Sequence, residues 1–386
     1  MVRINVACWC CSILVVVLCV SDPPEIIDHP TGGDVPIGRS ITLMCRASGL
    51  GTLVYSWERR SGRRWTTVSN DNTTSYTTDT TLTIGEYMYR CNVSNEAGPV
   101  VSNSTTVNVY GPPTITTHPT SQLTTISMRV TLNCEGTGRG SITYQWQARN
   151  INGGQWSVIS NSNNRRLSNN SRRLVVRNLQ ESQQYRCVVF NEAGGTRSYV
   201  ATVTVLKITT HPQDRLVPVY SSVSLTCTSS VSSNVTFSWT SDSRDVTGQS
   251  TSTGDTSILA ITKIGRKRNS TNYVCTVRCG SLSVMSNTAT LTVYGPPAIT
   301  GHPTGGDVPM GRSITLMCRA SSLGTLAYFW ERRSGRRRWT TVSNDNTTSY
   351  TTDTTLTIGE YMYRCNVSNE VGSVVSNSAT VNVYGE

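Results

Sequence analysis

One pattern recurs four times along this 386-residue chain, at intervals of about ninety residues. Each copy has a His-Pro pair, an alternating segment that ends in cysteine, a tryptophan twelve residues later, and a Tyr-x-Cys motif. The marker residues of the four copies are Cys45, Trp57, Tyr89 and Cys91; Cys134, Trp146, Tyr185 and Cys187; Cys227, Trp239, Tyr273 and Cys275; and Cys318, Trp330, Tyr363 and Cys365. Repetition at this period predicts four similar folded units in a row.

The segments around these cysteines have the alternation of β-strands. In Ile41–Cys45 every second residue points the same way, so Ile41, Leu43 and Cys45 share one core face. Apolar residues make up 37% of the chain, and Ser, Thr and Asn are plentiful. This composition disfavours long helices, so we expect an all-β protein.

The Cys, Trp and Tyr-x-Cys signature resembles that of the immunoglobulin superfamily, over essentially the whole chain after its N-terminal segment. Runs such as Asn95-Glu96-Ala97-Gly98 look like the intermediate-type sets of adhesion molecules. The resemblance implies four tandem immunoglobulin-like β-sandwiches, each with a disulfide between its sheets. It also implies that the tryptophan packs on that disulfide and that the tyrosine hydroxyl closes a corner near the second cysteine.

The resemblance further implies the disulfide partners. The implied pairs are Cys45–Cys91, Cys134–Cys187, Cys227–Cys275 and Cys318–Cys365. The family's aspartate four residues before the corner tyrosine is absent, and Gly85, Glu181, Asn269 and Gly359 stand there instead. We therefore expect the usual tie between that aspartate and an arginine to be missing or replaced.

The chain divides into a leader and four domains. Met1–Val20 combines a short basic start with an uncharged apolar run that is short for a membrane span, so we predict a signal peptide over 1–20. The predicted domains are 23–110, 113–206, 208–294 and 297–386. The fourth domain is a near-duplicate of the first.

Thirteen cysteines indicate an oxidising compartment. Cys279 has no counterpart in the other repeats, where Asn95, Asn191 and Asn369 stand. It could replace Cys275 as the partner of Cys227, pair between chains, or remain a buried thiol. The spacing of the motif favours Cys275 for the pair, and strand parity favours the buried thiol.

Enzymatic readings have little support in the sequence. The four histidines, each followed by proline, lie about ninety residues apart and lack nearby ligands at zinc spacing. We expect His29, His118, His211 and His302 to fill the start of the first strand of each domain. We therefore expect a non-enzymatic protein with no cofactor and no metal.

The net charge of +11 suggests anionic partners, which outside the cell are sulfated glycans and lipid head groups rather than nucleic acid. Arginines cluster in a predicted hairpin of domain 1 and in its duplicate in domain 4. These candidate anion-binding residues are Arg59, Arg60, Arg63, Arg64, Arg332, Arg333, Arg336, Arg337 and Arg338. They could grip an anion, or they could be solvated charges that protect an edge strand.

Eight Asn-x-Ser/Thr sequons accompany the predicted signal peptide, so we expect a glycoprotein. The sequon asparagines are Asn72, Asn92, Asn103, Asn169, Asn234, Asn269, Asn346 and Asn366.

Repeats one and four differ by seven substitutions and one inserted arginine. Two of the substitutions, Val54/Ala327 and Ser56/Phe329, alternate with inward residues and should face outward. In the superfamily, that sheet commonly meets partners.

These features predict an extracellular recognition protein of the cell-adhesion or receptor-ectodomain type. Its domains would bind extracellular or cell-surface proteins, including other copies of itself. The alternative is a secreted matrix protein that binds sulfated glycans through the arginine hairpins. We expect it in the secretory pathway, and then either secreted or at the cell surface if the chain continues to an anchor beyond Glu386.

Overall fold

The computed structural model describes residues 22–385, so the predicted signal peptide lies outside the described residues. The chain forms four β-sandwiches, arranged as two compact units. One unit contains residues 22–122 and 129–204, and the other contains residues 123–128 and 205–385. The prediction of an all-β chain of tandem sandwiches is confirmed.

The first sandwich has one large sheet and a smaller opposite layer. Its strands are β1 (Glu25–Asp28), β2 (Gly33–Pro36), β3 (Thr42–Met44), β4 (Arg46–Ser48), β5 (Val54–Ser61), β6 (Arg64–Ser69), β7 (Ser75–Thr77), β8 (Gly85–Asn95), β9 (Gly98–Val101) and β10 (Thr105–Tyr110). The large sheet has the order β2-β10-β8-β5-β6, with β9 also paired to β8. The pairs β1-β4 and β3-β7 form the other layer.

The second sandwich has the same plan. Its strands are β11 (Thr114–Thr117), β12 (Gln122–Thr124), β13 (Val130–Asn133), β14 (Glu135–Thr137), β15 (Thr143–Asn150), β16 (Gly153–Val158), β17 (Arg165–Ser168), β18 (Arg173–Val176), β19 (Gln183–Asn191), β20 (Gly194–Arg197) and β21 (Ala201–Val205). The large sheet contains β21-β19-β15-β16, with β20 on β19. The opposite layer contains β13-β18-β17 and β11-β14.

The third sandwich differs in its second layer, which is one four-stranded sheet of order β22-β24-β28-β27. Its strands are β22 (Ile208–Thr210), β23 (Arg215–Pro218), β24 (Val223–Ser229), β25 (Val235–Ser241), β26 (Arg244–Asp245), β27 (Ser250–Thr253), β28 (Thr256–Ile261), β29 (Thr271–Cys279), β30 (Leu282–Met285) and β31 (Ala289–Tyr294). The large sheet is β23-β31-β29-β25-β26, with β30 on β29. Thr247–Gln249 and Arg266–Arg268 are short 3-10 helices.

The fourth sandwich repeats the first. Its strands are β32 (Ala298–Gly301), β33 (Gly306–Pro309), β34 (Thr315–Met317), β35 (Arg319–Ser321), β36 (Ala327–Ser334), β37 (Thr340–Ser343), β38 (Ser349–Thr351), β39 (Gly359–Asn369), β40 (Gly372–Val375) and β41 (Ala379–Tyr384). Its large sheet has the order β33-β41-β39-β36-β37, with β40 on β39. None of the helices within residues 22–385 has the length and apolarity needed to cross a bilayer.

Each sandwich is tied together at its centre by one disulfide. The pairs are Cys45–Cys91, Cys134–Cys187, Cys227–Cys275 and Cys318–Cys365, as the family resemblance implied. Each motif tryptophan lies opposite the second cysteine on the neighbouring strand of the large sheet, as Trp57 lies opposite Cys91. The four tryptophans are fully buried, so each indole forms part of its domain's core.

The motif tyrosine hydroxyls fall into two pairs. Tyr185 donates to Gln183 Oε1 at 2.9 Å, and Tyr273 accepts from Arg268 Nη1 at 3.2 Å. The hydroxyls of Tyr89 and Tyr363 are buried and have no hydrogen-bond partner within residues 22–385. Burial raises the pKa of both tyrosines, and the nearby Arg59 and Arg332 partly oppose that rise. At the position of the family's aspartate these two domains have glycine, which offers no carboxylate to organise the corner.

Candidate functional site

The arginine hairpins form where the sequence predicts them. In domain 1, β5 and β6 pair around a turn at Gly62, whose φ of 61° belongs to the left-handed region that glycine tolerates. In domain 4 the inserted arginine lengthens the turn, so that β36 ends at Ser334 and β37 begins only at Thr340. The two duplicates therefore present different loops at the same end of the large sheet.

The structure separates the nine hairpin arginines into two groups. The exposed ones are Arg60, Arg63, Arg64, Arg336, Arg337 and Arg338, and the half-buried ones are Arg59, Arg332 and Arg333. Arg332 pairs with Asp353 at 3.2 Å and lies 5.8 Å from the ring centroid of Tyr361. Contacts of this kind hold the half-buried arginines against the sandwich, so the exposed group is the better candidate for an anion.

Arginines outside the predicted hairpin residues also lie on the outer face of the large sheet, the face turned away from the disulfide. In domain 1 the guanidinium of Arg90 stacks 4.4 Å from the ring centroid of Trp65. Its Nε donates to Glu58 Oε2 at 2.6 Å. We call this arrangement of stacked arginine and tryptophan the Arg–Trp cluster.

Domain 4 has the same cluster with one more stacked arginine. Arg364 and Arg333 lie 4.2 Å and 4.8 Å from the ring centroid of Trp339. Arg364 also pairs with Glu331 at 2.7 Å, as Arg90 does with Glu58. In both domains a carboxylate therefore neutralises the central arginine.

Domain 2 has the cluster without the carboxylate. Arg186 and Arg149 lie 4.2 Å and 4.6 Å from the ring centroid of Trp156. Arg186 Nε donates to Gln147 Oε1 at 2.8 Å, and Arg149 Nε donates to Gln184 Oε1 at 2.7 Å. The turn of this hairpin, Asn152-Gly153-Gly154, is neutral, and the charges lie farther along the strands.

Domain 3 has neither the cluster nor the arginine hairpin. Asp242 lies in the turn before the short strand β26, and Asp245 ends that strand. Hydrogen bonds from Thr247 lower the pKa of Asp245. Asp242 Oδ1 accepts the backbone N–H of Asn272 at 3.0 Å, so these carboxylates serve the local turn structure.

The four histidines have one shared structural role. Each Nδ1 accepts a backbone N–H from the segment between the strand of the second cysteine and the last strand, at distances of 3.0 to 3.2 Å. These bonds join His29 to Asn103, His118 to Tyr199, His211 to Asn287, and His302 to Asn377. In the part of the chain that the structure describes, no group of three or more His, Cys, Asp or Glu residues could hold a metal.

The sequon asparagines fall into two environments. Six are exposed, namely Asn72, Asn103, Asn169, Asn234, Asn269 and Asn346. Asn92 and Asn366 are half-buried on the outer face, and their Oδ1 atoms lack a partner within residues 22–385. The unpaired cysteine, Cys279, is buried and lies in the core cluster of domain 3.

A tyrosine–glutamate contact links the two sandwiches within each compact unit. Tyr110 donates its hydroxyl proton to Glu192 Oε2 at 3.2 Å, and Tyr294 bonds Glu370 in the same way. Arg139 adds an ion pair to Asp34 at 2.7 Å across the first joint. These joints hold neighbouring domains through polar contacts, and at the second joint Val371 of domain 4 also packs against the core cluster of domain 3.

The four disulfide-bonded sandwiches define a tandem array of similar domains. Models described as immunoglobulin domain match residues 23–109, 112–191 and 207–278, which is more than half of the chain. The chain belongs to the immunoglobulin superfamily.

Curated relatives of the array are large proteins. Hemicentin-1 of Mus musculus is 28% identical over 328 residues, which cover 82% of this chain and 6% of that protein. Roundabout homolog 1 of Rattus norvegicus is 24% identical over 388 residues, which cover 92% of this chain and 23% of that protein. The solved structure of Sidekick-1 immunoglobulin domains 1-5 covers 94% of this chain and 99% of its own, with 14% identity and a TM-score of 0.33. The chain thus spans less than a quarter of either curated relative.

Proposed function

We propose that this chain is a non-enzymatic extracellular recognition protein of the cell-adhesion or receptor-ectodomain type. Its partners would be extracellular or cell-surface proteins, among them a second copy of the chain. Similar proteins include Hemicentin-1 and Roundabout homolog 1, and another relative, from Gallus gallus, is named as the cell adhesion molecule DSCAM. The eight sequons and four disulfides suit an extracellular setting.

The observation that carries the proposal is the divergence of two near-identical domains on one exposed face. Val54 and Ser56 of domain 1 become Ala327 and Phe329 in domain 4. Phe329 lies opposite Asn366 in the strand register, as Ser56 lies opposite Asn92. An aromatic side chain on the outer face of a sheet is the kind of residue that anchors a protein interface.

A bead assay with the full chain, expressed in animal cells, tests this proposal. Self-aggregation of coated beads, or saturable binding to a panel of cell-surface ectodomains, is the expected result. The variant Phe329→Ser restores the residue of domain 1 and should weaken binding, whereas Met317→Ser on the opposite layer should not. Absence of both self-association and ectodomain binding would contradict the proposal.

The second candidate function is binding of a sulfated glycan by the arginine hairpins. It is favoured by the exposed turn arginines, of which Arg63, Arg64, Arg336, Arg337 and Arg338 have no ion pair within residues 22–385. Replacing these five residues by serine should lower the salt concentration at which the chain leaves a heparin column. Elution at the parent's salt concentration would argue against this function.

A further inference from the structure

The most basic part of the molecule is the second sandwich, not the domains with the arginine hairpins. Residues 113–206 contain ten arginines, no lysine, no aspartate and three glutamates. Residues 23–110, which include the first hairpin, contain seven arginines against eight acidic residues. The positive charge of the chain is therefore concentrated in domain 2, which has no arginine hairpin.

The Arg–Trp cluster of domain 2 lacks the acidic residue that neutralises its counterparts. Gln147 lies opposite Arg186 in the register, at the position where Glu58 faces Arg90 and Glu331 faces Arg364. Within residues 22–385, Arg149, Arg186 and Arg197 have no carboxylate partner. Three cations thus share one face with only neutral hydrogen-bond partners.

We infer that the outer face of domain 2, formed by Trp156, Arg149, Arg186 and Arg197, binds the sulfate groups of a linear sulfated glycan. This inference goes beyond the proposed recognition of proteins and does not involve the arginine hairpins.

The geometry of the cluster suits a multivalent oxyanion. The indole of Trp156 supports the guanidinium groups of Arg149 and Arg186, and the glutamine acceptors engage only their Nε atoms. The terminal nitrogens keep donors for the paired hydrogen bonds that arginine makes to sulfate or carboxylate oxygens. Arg197 is exposed on the neighbouring strand, opposite Val188.

The electrostatics of the outer face of domain 2 favour an anion. Partial burial, together with the charges of Arg197 and Arg149, lowers the pKa of Arg186. A bound sulfate relieves this mutual repulsion, because it places negative charge among the three cations. In domain 1 the carboxylate of Glu58 already supplies negative charge beside Arg90.

Two features favour a long sulfated polymer over a compact acidic protein. Exposed arginines also lie on the opposite layer of domain 2, at Arg166 and Arg173, so both layers of the sandwich carry positive charge. A flexible polyanion can follow such a surface, whereas a small folded partner can use only one side of it. In addition, Val188 stands where Asn92 and Asn366 form sequons, so no N-glycan is attached beside the cluster.

The test compares variants of the full chain on heparin. Gln147→Glu introduces the glutamate that domains 1 and 4 already have at this position, so the sandwich should tolerate it. We expect it, and the double variant R149Q/R186Q, to elute at lower salt than the parent. Affinity of Gln147→Glu for a heparin oligosaccharide should fall about tenfold, the effect of neutralising one charged contact, and that of R149Q/R186Q should fall further. The matched control Arg90→Gln changes the already neutralised arginine of domain 1 and should leave elution unchanged.

Unfolding curves of each variant establish that the sandwich is intact. Parent-like elution and affinity of both Gln147→Glu and R149Q/R186Q would overturn the inference. Equal binding of fully desulfated heparin, or of a polyglutamate peptide, would overturn the assignment to a sulfated glycan. The bead assay reports separately on protein recognition, because Gln147→Glu should leave it unaffected.

Discussion

The outer faces of the first and second sandwiches use equivalent strands and an equivalent stacked tryptophan, yet they differ in charge at two positions. Gln147 replaces Glu58 opposite the central arginine, and Arg197 stands where domain 1 has Val101. Glu58 pairs with Arg90 in domain 1, whereas Gln147 only accepts a hydrogen bond from Arg186 in domain 2. Domain 1 thus has a neutralised cluster and domain 2 a cationic one. The charge of this face depends on cross-strand neighbours and not on a run of charges.

The largest expected effect comes from removing the tryptophan on which the comparison rests. Trp156→Ala should lower the unfolding free energy of domain 2 by about 2 kcal/mol, because it removes apolar contact and two cation–π contacts. Trp65→Ala in domain 1 should cost about 1 kcal/mol less, because Trp65 supports a single stacked arginine that keeps its glutamate. Amide hydrogen exchange, resolved by domain in the full chain, measures the loss of unfolding free energy in each variant. Equal losses in the two domains would show that the stacking does not distinguish them.

A smaller effect should follow from exchanging the two residues opposite the central arginine. Glu58→Gln removes a partly buried ion pair and should destabilise domain 1 by about 1 kcal/mol. Gln147→Glu should stabilise domain 2 by about 0.5 kcal/mol, since it supplies the missing charge. Domain-resolved hydrogen exchange reports both values, and Glu86→Gln, at an exposed position of β8, is the matched control. Stabilisation by Glu58→Gln would contradict the role given to this pair.

Much of the fold could be predicted from the sequence because its determinants are local and repeated. The alternation around Cys45, the Trp spacing and the Tyr-x-Cys motif are fixed by strand geometry, and the hairpin turn is marked by Ser61-Gly62. The disulfide pairs followed from the family resemblance.

The Arg–Trp cluster could not be predicted in the same way, since it depends on strand register. Trp156 meets Arg186 across two strand pairings and thirty residues of sequence. The interval from the core tryptophan to the stacked tryptophan is eight, ten and nine residues in domains 1, 2 and 4, so no fixed spacing reveals it. The unsatisfied hydroxyls of Tyr89 and Tyr363 likewise depend on tertiary packing.

N-linked glycans should sharpen the contrast between the faces. We expect enzymatic deglycosylation to lower the apparent mass by several glycans. Because Asn92 and Asn366 lie on the faces of the first and fourth clusters, deglycosylation should also raise the reactivity of Trp65 and Trp339 in radical footprinting. Strand β19, whose Arg186 stacks on Trp156, has no sequon, so the reactivity of Trp156 should stay constant. A rise at Trp156 equal to that at Trp65 would mean that glycans do not distinguish the faces.

The smallest expected effect concerns Glu192, one of the three acidic residues of domain 2, which lies at the joint with domain 1 and not among the arginines. Hydrogen bonds from its own backbone N–H and from that of Ser141 lower its pKa, and the Tyr110 hydroxyl adds to this. A lowered pKa means that the joint contact is complete above the ordinary value of 4.5 and is lost as the pH falls through the folded value. Because the carboxylate is exposed, solvent screens it and the effect on stability should be slight. The amide shift of Ser141 should therefore titrate with a midpoint below 4.5 in the parent and show no such titration in Glu192→Gln. A midpoint at or above that value would show that the hydrogen bonds of the joint do not stabilise the charged form of Glu192.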